Sequence, residues 1–311
     1  MGEIEELAER FQAQRPQLRS VAYRMLGSLS DADDAVQDAW LRASAADSSE
    51  VENLGGWFTT IVARVCLNLL RSRATRREQA LGTHVPDPVL SRADASGASA
   101  AADPERQALI ADSVGLAMLV VLDTLTPDER LAFVLHDSFA VPFDDIAAIV
   151  PCSPAAARQL ASRARRRVAQ APAPDRDPAR QRRAVDAFFA ASRGGDFDAL
   201  VAVLHPDVVL RADGGAGRPS LTKLLRGAAT VAGQAVTYAQ LAPWVHPVLV
   251  NGAAGVVVAP HGEAGSVMAF TVVDGLIAAI DVLADPVRLR ELDVVGMLGH
   301  SGGASSSADM R

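Results

Sequence analysis

The stretch PFDDIAAIVPCSPAAARQLASRARRR, residues 142–167, contains two helical segments separated by a tight turn. Ser153 is a residue type that caps helix N-termini, and the Pro154 that follows it suits the first position of a helix. Upstream, Thr126 and Glu129 have the spacing of a capping box, which predicts another helix running to about residue 138. A short helix, a tight turn and a longer helix together predict a helix-turn-helix unit.

The longer helix of this unit carries side chains suited to reading DNA. Its periodicity turns Ala157, Leu160, Ala164 and Val168 inward. The outward-facing set is Arg158, Gln159, Ser162, Arg163, Arg165 and Arg166. Arg and Gln make bidentate contacts with guanine and adenine edges, while Ser and further Arg bind phosphates. Cations complementing the helix dipole would explain the last arginines but not Arg158. DNA binding is therefore the prediction.

Residues 1–79 are predicted to be a second helical block with two surfaces of opposite charge. A helix capped at Ser30 carries Asp31, Asp33 and Asp34 in its first turn, where the helix dipole favours negative charge. Its buried apolar stripe leaves Asp31, Asp34 and Asp38 on an acidic outer face, with Gln37 nearby. The next helix, about 54–78, projects Arg64, Asn68, Arg71, Arg73, Arg76 and Arg77. Either face alone is also typical of a solvated helix. DNA is repelled by the first and attracted by the second, so a protein partner on one side and DNA on the other is favoured.

Changes in composition divide the chain into segments. The helical blocks 1–79 and 103–170 flank a stretch rich in Pro, Gly and Ser, 80–102, which is predicted to be a flexible linker. Three prolines within 171–179 predict a semi-rigid hinge. Short apolar runs bounded by Asn-Gly and Asp-Gly turns predict an α+β domain over 180–299, and a low-complexity tail follows at 300–311.

Composition excludes several protein classes. At 311 residues and 32.6 kDa the chain is too long for a peptide hormone or a disulfide knot. No apolar run approaches the roughly 20 residues of a membrane span, and the acidic N-terminus does not resemble a secretory signal. Two cysteines suit a reducing compartment, so a cytoplasmic location is expected, with no membrane partner, metal or cofactor. The net charge of −7 hides local clustering of arginine, which outnumbers the single Lys223.

The two helical blocks resemble a known family. SDADDAVQDAWLR (30–42), GWFTTIVAR (56–64) and LNLLR (67–71) resemble region two of bacterial extracytoplasmic-function sigma factors, and LTPDER (125–130), FDDIA (143–147) and SPAAAR (153–158) resemble region four. The resemblance covers about 1–170. It implies that the acidic helix docks on a coiled coil of the polymerase β′ subunit, within a core enzyme that also contains β. The polymerase-binding residues that the resemblance implies are Asp31, Asp33, Asp34, Gln37 and Asp38. It further implies that the arginine helix takes the minus-ten promoter element and that the helix-turn-helix reads the minus-thirty-five element.

The remainder resembles the SnoaL-like, nuclear-transport-factor-two-like fold. The order of GDFDAL (195–200), LHPDV (204–208) and an Arg226-Gly-Ala helix before a curved antiparallel sheet carries this resemblance. A subgroup of these sigma factors has such an extension, which modulates activity in cis. DGGAGR (213–218) and DPVRL (285–289) resemble its interdomain signatures, with Arg218 in place of Lys and Asp285 in place of Asn. The resemblance assigns regulatory contacts to Asp213, Gly214, Gly215, Arg218, Asp285 and Pro286.

Two other functions stay open at this point. A stand-alone helix-turn-helix regulator with a ligand-binding C-terminal domain would bind duplex operator without polymerase and would normally dimerise. A pocket enzyme would use a pocket acid or base, for which the candidates are His205, Asp207, Asp213, His246 and His261. Catalysis is the less favoured of these interpretations, and a small apolar ligand in the C-terminal domain is compatible with the others.

Overall fold

The computed structural model describes residues 2–76, 82–93, 115–171, 173–292 and 294. These residues divide into two compact units. The helical unit contains the described residues up to 76 and those from 115 to 171. The C-terminal unit contains residues 82–93 and the described residues from 173 onward. The expected tail at 300–311 and the start of the second helical block, 103–114, lie outside the described residues.

The first part of the helical unit is a bundle of α1 (Gly2–Leu26), α2 (Leu29–Ala45) and α3 (Leu54–Arg76). Phe11 joins them, with its ring 5.0 Å from that of Phe58 and 5.1 Å from that of Trp40. The cap of α2 is Ser28, whose hydroxyl accepts the Asp31 N–H. The prediction of Ser30 as the cap is therefore wrong by half a turn, because two serines two residues apart both suit the role.

The second part of the unit contains the predicted helix-turn-helix. Its helices are α4 (Leu116–Leu122), α5 (Pro127–Phe133) extended by a π-helical turn (Val134–Ser138), α6 (Phe143–Ile149) and α7 (Pro154–Gln170). The Thr126–Glu129 capping box and the Ser153 cap are both confirmed. Ala157, Ala161 and Ala164 are fully buried, so small side chains bring α7 close to its neighbours.

The two helical parts pack together through buried contacts. Arg130 on α5 is 3% exposed, and its Nε donates to the carbonyl of Arg24 on α1 at 3.1 Å. The same guanidinium pairs with Asp123, and the Arg24 guanidinium lies 4.9 Å from the centre of the Phe139 ring. A buried arginine needs such partners, since an uncompensated buried charge is costly. The blocks expected as separate segments thus form one compact unit.

The C-terminal unit has one seven-stranded sheet in the order β1-β4-β5-β6-β7-β2-β3. The strands are β1 (Leu90–Arg92), β2 (Leu204–Asp213), β3 (Lys223–Arg226), β4 (Val245–Val250), β5 (Ala253–Val258), β6 (Ser266–Val273) and β7 (Leu276–Leu283). Its α-helices are α8 (Pro178–Gly194), α9 (Phe197–Val203), α10 (Ala228–Thr237) and α11 (Pro286–Glu291), with short 3-10 turns at Pro219–Leu221, Ala239–Trp244 and Pro260–Gly262.

The sheet confirms most of the predicted strands and corrects one expectation. Asn251-Gly252 and Asp274-Gly275 all have positive φ and connect antiparallel strands, as these turn dipeptides predict. The expected sheet was antiparallel, but β2 pairs with β7 in parallel. The two helices that precede β2 cover the sheet, where Phe188 lies 5.8 Å from Phe270 between ring centres.

The expected flexible linker is wrong for residues 82–93. Within it, β1 pairs antiparallel with β4, and the Val89 N–H donates to the Asn251 side chain at 3.0 Å. Val85, Val89 and Leu90 are buried. The pairing joins residues about 160 positions apart, so no local pattern in the linker announces it. Residues 80–81 and 94–102 of the predicted linker lie outside the described part of the chain.

The segment predicted to be a hinge is also hydrogen-bonded to the sheet. The Asp175 N–H donates to the carbonyl of Val272, and its carboxylate accepts the N–H groups of Asp274 and Gly275 at 3.1 and 2.9 Å. The prolines restrict the φ angles of the backbone. Asp175 fixes the described part of this segment to the β6–β7 turn.

Candidate functional site

An acidic face on α2 is the first candidate surface. Asp34 and Gln37 are exposed, and Asp38 is half-buried and pairs with Arg42 along the same helix at 2.9 Å. Leu41, one turn beyond Gln37 and Asp38, is 59% exposed. Residues 34, 37, 38 and 41 have the i, i+3, i+4, i+7 spacing of one helix face. We call these four residues the acidic face. Leu41 is not among the predicted polymerase-binding residues, although its spacing relative to Asp34 and Asp38 could have revealed it.

Two of the five predicted polymerase-binding residues form ion pairs with other helices of the bundle. Asp33 accepts from Arg19 Nε at 2.6 Å and from its Nη2 at 2.9 Å. Asp31 pairs with Arg73 on α3 at 2.5 Å. Both carboxylates therefore connect helices of the bundle, and the structure separates them from Asp34, Gln37 and Asp38.

The arginine surface of α3 is covered in part by the second helical part. Arg71 Nη2 donates to Asp128 at the start of α5 at 2.8 Å, and Arg64 Nη2 donates to the Ala148 carbonyl of α6 at 3.2 Å. Asn68, between them on the helix, is exposed. The backbone of Arg76 ends α3, but its side chain and the whole of Arg77 lie outside the described residues.

The outer surface of α7, in contrast to that of α3, is exposed to solvent. Arg158, Gln159, Ser162, Arg163, Arg165 and Arg166 are all exposed, as the periodicity predicts. The Arg158 guanidinium lies 5.5 Å from the centre of the Phe143 ring, which orients it without neutralising it. Arg165 pairs with Asp137 at 2.7 Å. Among the described residues, no carboxylate lies within ion-pair distance of Arg163 or Arg166.

In the C-terminal unit, Arg288 on α11 holds the segment that precedes β1. Its Nε donates to Asp87 at 2.6 Å, its Nη1 to Asp213 at 2.9 Å and its Nη2 to the carbonyl of Val85 at 2.6 Å. Asp87 is 4% exposed. We call Arg288, Asp87 and Asp213 the clamp. Arg288 is missing from the predicted regulatory residues, and its partners lie up to 203 positions away, so no local pattern reveals this contact.

The hydrogen bonds and the ion pair of the clamp stabilise Asp213 in its ionised form. Burial alone would raise the pKa of Asp213, but hydrogen bonds from His84, the Val85 N–H and the Gly215 N–H, together with the charge of Arg288, lower it to about 2. The carboxylate therefore stays ionised at neutral pH and keeps its pairing with Arg288.

The predicted regulatory residues are brought together beside the clamp. Gly215 has φ 58, and a Cβ there would overlap the carboxylate of Asp285, so the position requires glycine. A Cβ on Gly214 would overlap the Arg218 carbonyl. Asp285 caps α11 through the Val287 N–H, and Pro286 is the first residue of that helix.

A cavity of about 350 Å³ lies within the C-terminal unit. Its walls are mainly apolar, and Lys223 and Arg218 are the charged residues among the described ones that line it. None of the residues considered for pocket catalysis, His205, Asp207, Asp213, His246 and His261, lines the cavity. The described residues also contain no group of three or more His, Cys, Asp or Glu side chains placed to hold a metal ion. No helix in that part of the chain is long and apolar enough to span a membrane.

Comparison with known proteins agrees with the helical geometry. A family model for Sigma-70 region 2 matches residues 10–76, and one for Sigma-70, region 4 matches residues 116–168. The chain is 44% identical over 220 residues to the ECF RNA polymerase sigma factor SigJ of Mycobacterium tuberculosis, which covers 70% of this chain and 68% of the relative. It is 30% identical over 299 residues to the probable ECF sigma factor SigI of the same organism, covering 94% and 98%.

A solved structure extends the similarity to both units. The crystal structure of the Mycobacterium tuberculosis sigma factor SigJ matches with a TM-score of 0.73 and 36% identity, covering 92% of this chain and 99% of the other. The match includes the α+β unit, so helical regions followed by a SnoaL-like domain, as predicted, are confirmed. The comparisons do not favour the stand-alone regulator.

Proposed function

The chain belongs to the ECF RNA polymerase sigma factors, and from this we propose how its surfaces divide the work of transcription initiation. Sigma factors are initiation factors rather than enzymes, and the two sigma regions imply binding to core polymerase and promoter DNA. The observation that carries the proposal is that one helical unit presents an acidic face on α2 and cationic surfaces on α3 and α7. Surfaces of opposite sign suit two different macromolecules.

We assign the acidic face to the polymerase, at the β′ coiled coil. Asp34 and Gln37 are exposed and Asp38 is half-buried, so they can contact a partner without breaking the bundle. Leu41 adds apolar area at the same place, where burial on binding is favourable. Asp31 and Asp33 support this face indirectly, because their ion pairs hold α2 against α1 and α3.

We assign the minus-thirty-five element to α7 and the minus-ten element to α3. The α7 surface is accessible to DNA, since Arg158, Gln159 and Arg163 are exposed on the helix that follows the turn. The α3 surface is less accessible to DNA, because Arg64 and Arg71 are bonded to the second helical part. Polymerase binding energy would separate the two parts, so the chain alone would recognise a complete promoter poorly.

We assign regulation in cis to the C-terminal domain, acting through the clamp. The segment held by Arg288 lies in the chain between the two sigma regions. Fixing residues 82–93 shortens the free connection, and the reach between two linked binding modules depends on the length of that connection. A small apolar ligand in the cavity is the proposed input, since Ala212 and Ala284 line the cavity directly beside Asp213 and Asp285.

Affinity capture of core polymerase tests the acidic face. We expect the double substitution Asp34→Lys and Asp38→Lys to abolish capture while the far-ultraviolet circular dichroism spectrum is unchanged, because both side chains are on the surface. Glu5→Lys with Glu9→Lys is the matched control, since it makes the same charge change at exposed positions of α1. Normal capture by the α2 variant would refute the assignment.

Run-off transcription tests regulation in cis. Arg288→Gln removes the cation of the clamp, and Arg290→Gln is the control on the same helix, where the side chain is exposed. We expect only the first to change transcript yield from polymerase saturated with the factor. Equal yields from both variants and the parent chain would remove the clamp from the regulatory scheme.

A further inference from the structure

We propose that the cavity of the C-terminal unit binds an apolar monocarboxylate, with the carboxylate group at Lys223. The inference deepens the ligand part of the proposed function and rests on it.

The apolar part of the ligand follows from the cavity walls. Phe188, Phe189, Leu241, Val258 and Met268 contribute to a lining that contains no Asp or Glu among the described residues. The volume of the cavity is about 350 Å³. The cavity lies at the small end of ligand pockets, and its size and lining suit a medium-length alkyl chain or a compact ring system.

The carboxylate follows from the charge in the cavity. Lys223 Nζ lies 3.4 Å from Gln234 Oε1 and 5.9 Å from the centre of the Tyr238 ring. Neither neighbour is an anion, and no carboxylate of the described residues lies within ion-pair distance of Lys223. Lys223 is half-buried at the cavity wall, so an anion that enters the cavity can form a charge-assisted hydrogen bond with it. Lys223 is also the only lysine in the chain.

Arg218 supplies a second cation with a different role. Its Nη1 donates to the carbonyls of Gly265 at 2.9 Å and Ala284 at 3.4 Å, which fixes the guanidinium at the cavity wall. These carbonyls orient the group but do not neutralise it. Two cations and no lining acid among the described residues favour an anion over a neutral or cationic ligand. The largely apolar lining favours one small charged group over a polyanion, which would need many more donors.

The location would let the ligand influence the clamp. Arg218 bonds to the carbonyl of Ala284, the residue before Asp285, and Gly215 packs against Asp285 in turn. Asp213 of the clamp follows Ala212, which lines the cavity. A carboxylate that draws Arg218 toward it would therefore act on the loop that follows Asp213.

Calorimetric titration of the purified full-length chain with decanoate and with decanol tests the proposal. We expect decanoate to bind at least about tenfold more tightly than decanol, since a hydrogen-bonded ion pair is added to the same apolar contact. Lys223→Met should remove about that factor for decanoate and leave decanol binding unchanged. Retained decanol binding shows that the cavity of the variant is intact.

Arg226→Met is the matched control, because Arg226 is exposed and lies on the same strand at a position of opposite side-chain orientation to Lys223. It should bind both probes as the parent chain does. Equal affinity for decanoate and decanol, an unchanged decanoate affinity in Lys223→Met, or binding of neither probe would each overturn the proposal.

Run-off transcription with and without decanoate separates this inference from the regulatory proposal. Binding that depends on Lys223 without any effect on transcript yield would uphold the carboxylate site and refute its regulatory use. A yield that responds to Arg288→Gln while no probe binds would do the reverse.

Discussion

The arginines of α3 and α7 are the same residue type on helices of one unit, but they are engaged differently. On α3, Arg64, Arg71 and Arg73 each bond to another part of the unit. On α7, Arg158 and Arg163 face solvent. The difference indicates that a cluster of arginines in a sequence does not by itself identify a surface ready for DNA, since intramolecular acceptors compete with phosphates.

The largest expected effect comes from removing the buried residue that holds the two helical parts together. Arg130→Met would leave the mostly buried Asp123 without its cation and the Arg24 carbonyl without its donor. We expect a loss of about 3–5 kcal/mol in the free energy of unfolding, measured by urea denaturation. Arg166→Met, at an exposed position, should change it by less than about 0.5 kcal/mol. A similar small loss in both variants would show that the covering of α3 does not depend on this contact.

Removing an exposed arginine of α7 should have a smaller effect, and it should change DNA binding. Arg158→Ala should weaken binding of the holoenzyme to promoter DNA by about 1–3 kcal/mol if the guanidinium contacts a guanine edge. Arg167→Ala is the control, because Arg167 lies on α7 but is bonded to Glu129 and to the carbonyl of Thr124. Competition titrations with promoter and scrambled duplexes measure the effect. A loss of equal size on both duplexes would argue against base reading by Arg158.

Releasing one α3 arginine should have a weaker effect still. Asp128→Asn removes the charged partner of Arg71, and this ion pair is partly exposed, so its loss should cost at most about 1 kcal/mol of stability. Weaker pairing of Arg71 should increase nonspecific DNA binding by the isolated chain and steepen its dependence on salt concentration by at most about one counterion. Asp144→Asn makes the same charge change at an exposed position of α6. Its salt dependence should be less steep than that of Asp128→Asn. Identical slopes would mean that Arg71 is already available to DNA.

Local signals predicted the parts of the fold that are encoded by neighbouring residues. The Thr126 capping box, the Ser153 cap and the Asn251-Gly252 turn all appear as expected, because each depends on residues within one turn of one another. The outward set on α7 was equally predictable, since a single helix repeat determines it. The same repeat located Asp34 and Asp38 but did not show that Asp31 and Asp33 are used inside the bundle.

Long-range pairing accounts for what the sequence could not show. β1 lies in a stretch whose composition is typical of a linker, and its partner strand is about 160 residues away. The clamp joins Arg288 to Asp87 across 201 positions. Arg130 has no feature that distinguishes it from an exposed helix arginine until α1 packs against it. In each case the partner is specified by tertiary structure, which no single segment contains.

Two neighbouring arginines of α7 differ in whether a carboxylate of the same unit competes with DNA for them. Arg165 and Arg166 are adjacent and exposed, but Arg165 pairs with Asp137 at 2.7 Å, whereas Arg166 has no carboxylate within ion-pair distance among the described residues. A phosphate contact by Arg165 must first replace that pair, so Arg166→Ala should reduce DNA affinity more than Arg165→Ala, by up to about 1 kcal/mol. Binding of both variants to one promoter duplex at several salt concentrations measures this. A greater loss for Arg165→Ala would mean that its ion pair positions the guanidinium for DNA instead of competing with it.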